Sequence, residues 1–326
     1  MKQIVVLFDK GTNYIFHILA ASGINFYSDY TEKYSKTLKS AHLEFLIGHK
    51  ALLSFQNGHA SELVDPIIFF PAYLNLDSQE KIKEYFDLLL NALIRDEVPF
   101  IKKYRDFIEK RTLWTPEINS GWFNKIKDKV SLIEKLGEIY IENFQTFETE
   151  VWPKEREKLI EVAEELNKRL KKLNLIKRWE ELVGIDFKVP EYQIILVFAI
   201  KNGPNANSLG YDRNVFYSGN NLKWTIDFIS HEVGTHIMFN GIKQFMEEIF
   251  FETDTDMNDK AQKFQRLYKA YECLAQFYNT KILGKQLSYN LSNFESDKYL
   301  SFYHKLYESG IRTYNKMLKV AMETLR

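Results

Sequence analysis

A single cysteine, Cys273, occurs in 326 residues. That excludes an intrachain disulfide and any zinc site built on several thiolates, and it suits a reducing compartment. An excess of charge of either sign is also missing, since 44 Lys+Arg are matched by 44 Asp+Glu. Without net charge there is no global field to draw the chain to nucleic acid or to an anionic membrane surface, so neither is an expected partner. Long hydrophobic runs are absent too. YIFHILAASGINF and YQIILVFAI fall well short of a membrane span. The opening MKQIVVLFDKG is cut by Asp9 and Lys10 before it reaches the length of a signal-peptide core. These absences lead to the expectation of a soluble, cytoplasmic protein. No fixed-period repeat or low-complexity linker divides the chain, and nothing in it sets an oligomeric state.

What is present reads as a globular chain with a sizeable core, 45% hydrophobic and 27% charged. Residues 1–185 have mostly helical spacing. DYTEKYSKTLKSAHLEFLIGHKALLSF is one such segment. DSQEKIKEYFDLLLNALIRDE is another, with a start signal at Asp77-Ser78 and a stripe of Ile82, Tyr85, Phe86, Leu89 and Leu90. PKEREKLIEVAEELNKRLKKLNLI places Pro153 at a helix start, where its missing N–H costs nothing. The mixed charge along these segments fits solvated helix faces.

The texture changes near Val189-Pro190. EYQIILVFAI reads as a buried strand, KNGPNANSLGYD as a break, and RNVFYSGN as a second short strand. NLKWTIDFISHEVGTHIMFNG then reads as a helix stopping at Asn240-Gly241, with helices again to the end. The expected division is a helical region over 1–185, covering or enclosing a cleft, and a catalytic region over 186–326.

The chemistry concentrates in SHEVGTHIM. His231 and His236 stand five apart, whereas the common zinc-protease pattern has four, and Thr235 occupies the fourth position. On a regular helix, residues five apart diverge by about 140°. One widened π-type turn would bring both rings to one side, and Gly234 inside it would ease the distortion. Leu222, Ile226, Ile229, Val233 and Ile237 form one apolar line of this helix, and Trp224, Phe228 and His231 a second. A helix apolar on two sides is buried on two sides, and histidines and Glu232 hidden there need partners. A downstream helix offers Glu272, on the edge of a stripe of Phe264, Leu267, Tyr271, Leu274 and Tyr278. That carboxylate either meets a cation or simply reaches water.

HEVGTH followed by YECLA resembles the HExxxH zinc metallopeptidases that pair H-E-[IV]-G-T-H with a downstream Q-E-G-L-A, a family similar to the microtubule-associated tyrosine carboxypeptidases and their bacterial relatives. The resemblance covers roughly residues 192–276. It implies a bound Zn2+ with His231, His236 and Glu272 as ligands and Glu232 as catalytic base. Tyr271 and Cys273 stand where that pattern has glutamine and glycine. The expected fold is mainly α, of the α+β class, with a zincin-like catalytic half whose small sheet lies beside an active-site helix, preceded by a helical half. The expected function is a zinc-dependent peptidase acting on peptides or unfolded polypeptides, with carboxypeptidase action as one form. The alternatives are a catalytically inactive metal- or peptide-binding protein, or a helical partner-binding scaffold.

Tyr211, Tyr217 and Tyr314 are oxyanion-donor candidates by residue type, and Arg213 and Arg312 are candidates for a substrate carboxylate. His17, His42, His49, His59 and His304 are scattered and read as packed or exposed. Cys273 is expected to face away from the apolar stripe and lacks a paired base, which argues against a nucleophilic role.

Overall fold

The computed structural model describes residues 2–56, 59–115, 117–201, 206–251, 256–291 and 294–325. It is mainly helical, 71% helix, with one small mixed four-stranded sheet and a two-stranded ladder of Phe55–Gln56 with His59–Ala60. Among the described residues no helix is long and apolar enough to cross a membrane.

The helices form where spacing and caps agree. The helix Gln79–Ile94 starts at Ser78, whose hydroxyl accepts from the Lys81 N–H at 3.3 Å, and it buries Ile82, Tyr85, Phe86 and Leu89. The DYTEK segment breaks into Asp29–Tyr34 and Ser40–Gly48 with a 3-10 turn between them. Thr37 donates its hydroxyl to the Tyr34 carbonyl at 2.6 Å, a side-chain bond that competes with continuing the helix.

Pro153 does not begin a helix. The chain runs helically from Val130 through Leu173 and crosses the proline by a π-turn over Phe147–Val151, where Trp152 N–H donates to the Phe147 carbonyl five residues back. The same device precedes Pro71, with Phe70 N–H donating to the Asp65 carbonyl. A proline ring clashes with the carbonyl four residues back in a regular helix, and a widened turn relieves that clash.

The chain condenses into two compact units, and neither is a single stretch. One, the sheet unit, comprises Val5–Asn167 and Gln193–Gly219. The other, the motif unit, comprises Met1–Ile4, Lys168–Tyr192 and Asn220–Arg326.

The strand order of the sheet is Gln3–Leu7, Glu191–Val197, Arg213–Tyr217, Ala206–Gly210. Glu191–Val197 runs parallel to Arg213–Tyr217 with Ile195 opposite Val215. Ala206–Gly210 is antiparallel to Arg213–Tyr217, with a bulge between Ser208 and Gly210. Two of the four strands match the expected ones. Ala206–Gly210 falls in what reads as a break, and residues 202–205 of that break lie outside the described residues.

In the sheet unit Ile195, Val197, Leu209 and Val215 join one core with Tyr14, Ile18, Phe70 and Phe144. Asn13 Nδ2 donates to the Leu196 carbonyl at 3.0 Å, fixing the helix Lys10–Ala21 to a central strand.

In the motif unit, Leu222–Phe251 packs on Leu175–Val183 and on Met257–Leu283, and the latter also carries Ser296–Glu308 and Tyr314–Thr324. The helix Leu222–Phe251, called here the motif helix, continues past Asn240-Gly241 rather than stopping there. Gly241 has a packing reason, because a Cβ there would lie 2.2 Å from Cε2 of Tyr314.

Candidate metal centre

The motif helix is buried on two sides, as its two apolar lines require: Ile226, Phe228, Ile229, Val233 and Ile237 are all hidden. His231 and His236 are fully buried with them. The expected π-turn between the histidines is not formed, and the helix is α throughout that stretch. Gly234 answers to a different need. The Trp179 indole lies against it so closely that a Cβ would sit 2.4 Å from Cη2, and the indole N–H donates to Ser230 Oγ at 3.2 Å. Packing, not a distorted backbone, accounts for the glycine.

Because the turn is regular, the two rings go different ways. Nε2 of His231 lies 2.9 Å from Oε2 of Glu272, a hydrogen bond in which the ring N–H donates to the carboxylate. His236 instead meets the edge of the Tyr192 ring, centroids 5.0 Å apart at 77°. Of the three expected ligands, the structure pairs His231 with Glu272, while His236 packs on Tyr192. Among the described residues, no group of three or more metal-capable side chains is gathered.

Glu272 comes from the helix Met257–Leu283, which starts at Asp256, whose carboxylate accepts from the N–H of Asn258 and Asp259. Its side chain is 13% exposed while that of His231 is 0% exposed, so the pair faces an opening only on the glutamate side. Burial raises the pKa values of the Tyr268, Tyr271 and Tyr289 hydroxyls, and the charges of Glu232 and Glu272 both add to the rise at each one. Both carboxylates therefore lie within electrostatic reach of the same three hydroxyls. Tyr271, where the resembled pattern has glutamine, donates its hydroxyl to the Thr235 carbonyl and ties the two helices together one residue before His236.

Tyr268, Tyr289 and Asp227 were not singled out from the sequence. Asp227 had a signal that could have revealed it, a charge set one helical turn before His231 inside an apolar stretch. Tyr289 had none, since it reaches His231 only because a loop folds back.

The other candidates are engaged elsewhere. Arg213 gives Nε to Gln193 Oε1 at 2.8 Å, bonds the Tyr73 carbonyl and lies over the Tyr73 ring. Arg312 is exposed and lies over the Tyr307 ring. Tyr211 is buried, Tyr217 has its hydroxyl pKa raised by burial, and Tyr314 packs on Gly241. Cys273 is fully buried, contrary to the expected outward orientation, and burial pushes its thiol up to about 12. A thiol held neutral is a poor nucleophile, so the argument against that role stands on firmer ground. His42 bonds Asn143, His49 bonds the Phe45 carbonyl, and His304 packs on Phe277. The side chain of His59 lies outside the described residues.

Two imidazoles, a carboxylate and a neighbouring second carboxylate are a donor set suited to zinc. Nδ1 of His231 is buried without a hydrogen-bond partner among the described residues. Compared with family models, curated proteins and solved structures, the chain matches none of them.

Proposed function

We propose that the chain is a zinc-dependent peptidase, with His231, His236 and Glu272 as zinc ligands and Glu232 as general base. The observation that supports this reading most is the 2.9 Å pairing of His231 with Glu272, brought together from separate helices, with Glu232 next to His231 in the chain. The resemblance of HEVGTH and YECLA to the HExxxH metallopeptidases supports it independently. Zinc bound there would supply a Lewis acid that lowers the pKa of water. Glu232 takes the proton of the attacking water and delivers it to the leaving amine as the C–N bond breaks. Tyr268, whose hydroxyl feels the charges of both carboxylates, is the proposed donor to a substrate oxygen. The zincin-like character and a peptide or unfolded-polypeptide substrate belong to the same proposal.

One observation favours a second reading, an inactive metal- or peptide-binding protein: the turn between the histidines is regular α, and no group of three metal-capable side chains is gathered among the described residues. Incubating the full chain with a peptide library and reading products by mass spectrometry separates the two. The peptidase reading expects cleavage that chelation stops and zinc restores, and that Glu232→Gln lowers by about 10²–10⁴-fold. Zinc binding without cleavage would leave the second reading standing.

A further inference from the structure

A metal-binding imidazole is ordinarily held by a hydrogen bond from its second ring nitrogen to a carboxylate, carbonyl or water. His231 has no such bond among the described residues, because Nδ1 is buried without a partner. Beyond the Nε2 bond to Glu272, the ring plane is set by what packs on it. Two aromatic rings do so: Phe228, centroid 5.2 Å away at 32°, and Tyr289, centroid 5.5 Å away at 70°. Phe228 and Tyr289 also meet each other edge to face at 4.9 Å. Phe228 belongs to the motif helix, so its place is set by the helix itself. Tyr289 belongs to the segment after Gly284, which ends the helix Met257–Leu283, and something must hold it.

That holder is Asp227, fully buried one turn before His231. Its Oδ2 accepts from the Ser288 N–H at 3.0 Å and from the Ser288 hydroxyl at 2.7 Å. Its Oδ1 pairs with Lys285 Nζ at 2.7 Å. Asn279 completes the clamp, because its Nδ2 donates both to the Asp227 carbonyl at 2.8 Å and to the Tyr289 hydroxyl at 3.1 Å. The Asp227 ties hold Lys285 and Ser288 of the segment that carries Tyr289, and the Asn279 bond holds Tyr289 itself. The clamp also explains why a carboxylate stands in the apolar interior of the motif helix, where an unpaired charge would be costly.

We propose that Asp227 and Tyr289 are positioning residues for His231: Asp227 pins residues 285–289 to the motif helix, and the Tyr289 ring then holds the imidazole at the angle a metal ion requires. This inference rests on the zinc reading above. Neither residue touches substrate or metal; both act through the histidine.

The test uses the full-length protein, with zinc affinity read by chelator competition and the ligand field read from the visible spectrum after cobalt(II) substitution. Thermal unfolding runs beside both. Asp227→Ala and Tyr289→Ala are expected to weaken zinc binding about 10–100-fold, the range found for lost outer-shell partners, and to alter the cobalt spectrum. Tyr289→Phe keeps the ring and the Asp227 ties but loses the Asn279 bond, and should weaken binding clearly less than Tyr289→Ala. Asp227→Asn keeps an acceptor for Ser288 and should recover part of the loss. If Asp227→Ala does not fold, Ser288→Ala, which removes one tie and leaves the backbone bond, should give a smaller weakening in the same direction. Variants that melt earlier but bind zinc and cobalt as the wild type does would overturn the proposal and leave Asp227 a purely structural residue. Tyr289→Phe weakening binding as much as Tyr289→Ala would overturn it too. A wild type that binds no metal would overturn the zinc reading itself, and this inference with it.

Discussion

His17 in the sheet unit and His231 in the motif unit are both buried on helices, but their ring nitrogens are treated differently. Thr37 spends its hydroxyl proton on the Tyr34 carbonyl, so it accepts from His17 Nε2–H at 3.1 Å. His17 Nδ1 is then an acceptor and takes the Tyr30 hydroxyl at 2.8 Å. Burial lowers its pKa to about 3, and the ring stays neutral with nothing left to offer a ligand. Among the described residues His231 has one bond, to a carboxylate, and one nitrogen without a partner. The carboxylates show the reverse pattern. Glu272 is paired, whereas Glu155 in the sheet unit is buried with neither oxygen in a well-formed hydrogen bond among the described residues. Equal burial therefore says little about function; the unfinished bonding of a ring says more.

The strongest way to break this comparison is to exchange the two losses. His231→Ala should abolish zinc binding, while His17→Ala should leave it intact and cost about 2–4 kcal/mol in denaturant unfolding, because it opens a cavity and takes the imidazole acceptor from the Tyr30 hydroxyl. Zinc loss in His17→Ala with normal stability would reverse the assignments.

Glu155 sharpens it through pH. Burial pushes its carboxyl up to about 7, with Tyr30, Lys33 and Lys158 pulling the other way. An acid whose folded pKa exceeds its unfolded value near 4.5 contributes fully below that value. The contribution fades as pH rises toward about 7, a loss of about 3 kcal/mol in all. Unfolding free energies of the wild type minus those of Glu155→Gln should fall by about that amount between pH 4.5 and 7.5 and be flat above. A difference independent of pH would mean Glu155 is not held as the neutral acid.

Smaller effects test local packing. Gly234→Ala should cost about 1–3 kcal/mol through its collision with Trp179, and Trp179→Phe should reduce that penalty by making room. No coupling between the two would return Gly234 to a backbone role. Ser78→Ala, the loss of one helix cap, should cost about 1 kcal/mol in the same unfolding measurement, with zinc unaffected.

Local periodicity made the helices readable, as Ser78 and the stripe through Leu89 show. Strands were harder to read because pairing is not local. Ala206–Gly210 carries little pattern of its own and becomes a strand through its partner, while the β-branched run of Gln3–Leu7 is too short to show by itself that it pairs with Glu191–Val197. Glycine was legible as special at 234 and 241, yet in both places the reason is a ring from elsewhere in the chain, Trp179 or Tyr314. Pro153 misled because a π-turn carries the helix across it. At the site, spacing and motif brought out His231, Glu232 and Glu272, whereas the Asp227, Asn279 and Tyr289 clamp exists only once the 285–289 segment folds back.

Zinc content by mass spectrometry, on tag-free wild type beside His231→Ala, His236→Ala, Glu272→Ala and His17→Ala, tests the central claim most directly. The account predicts about one zinc per chain in the wild type and in His17→Ala, and loss in the other three. A wild type that holds no zinc even after incubation with it, or a His236→Ala protein that keeps it, would contradict the proposed ligand set.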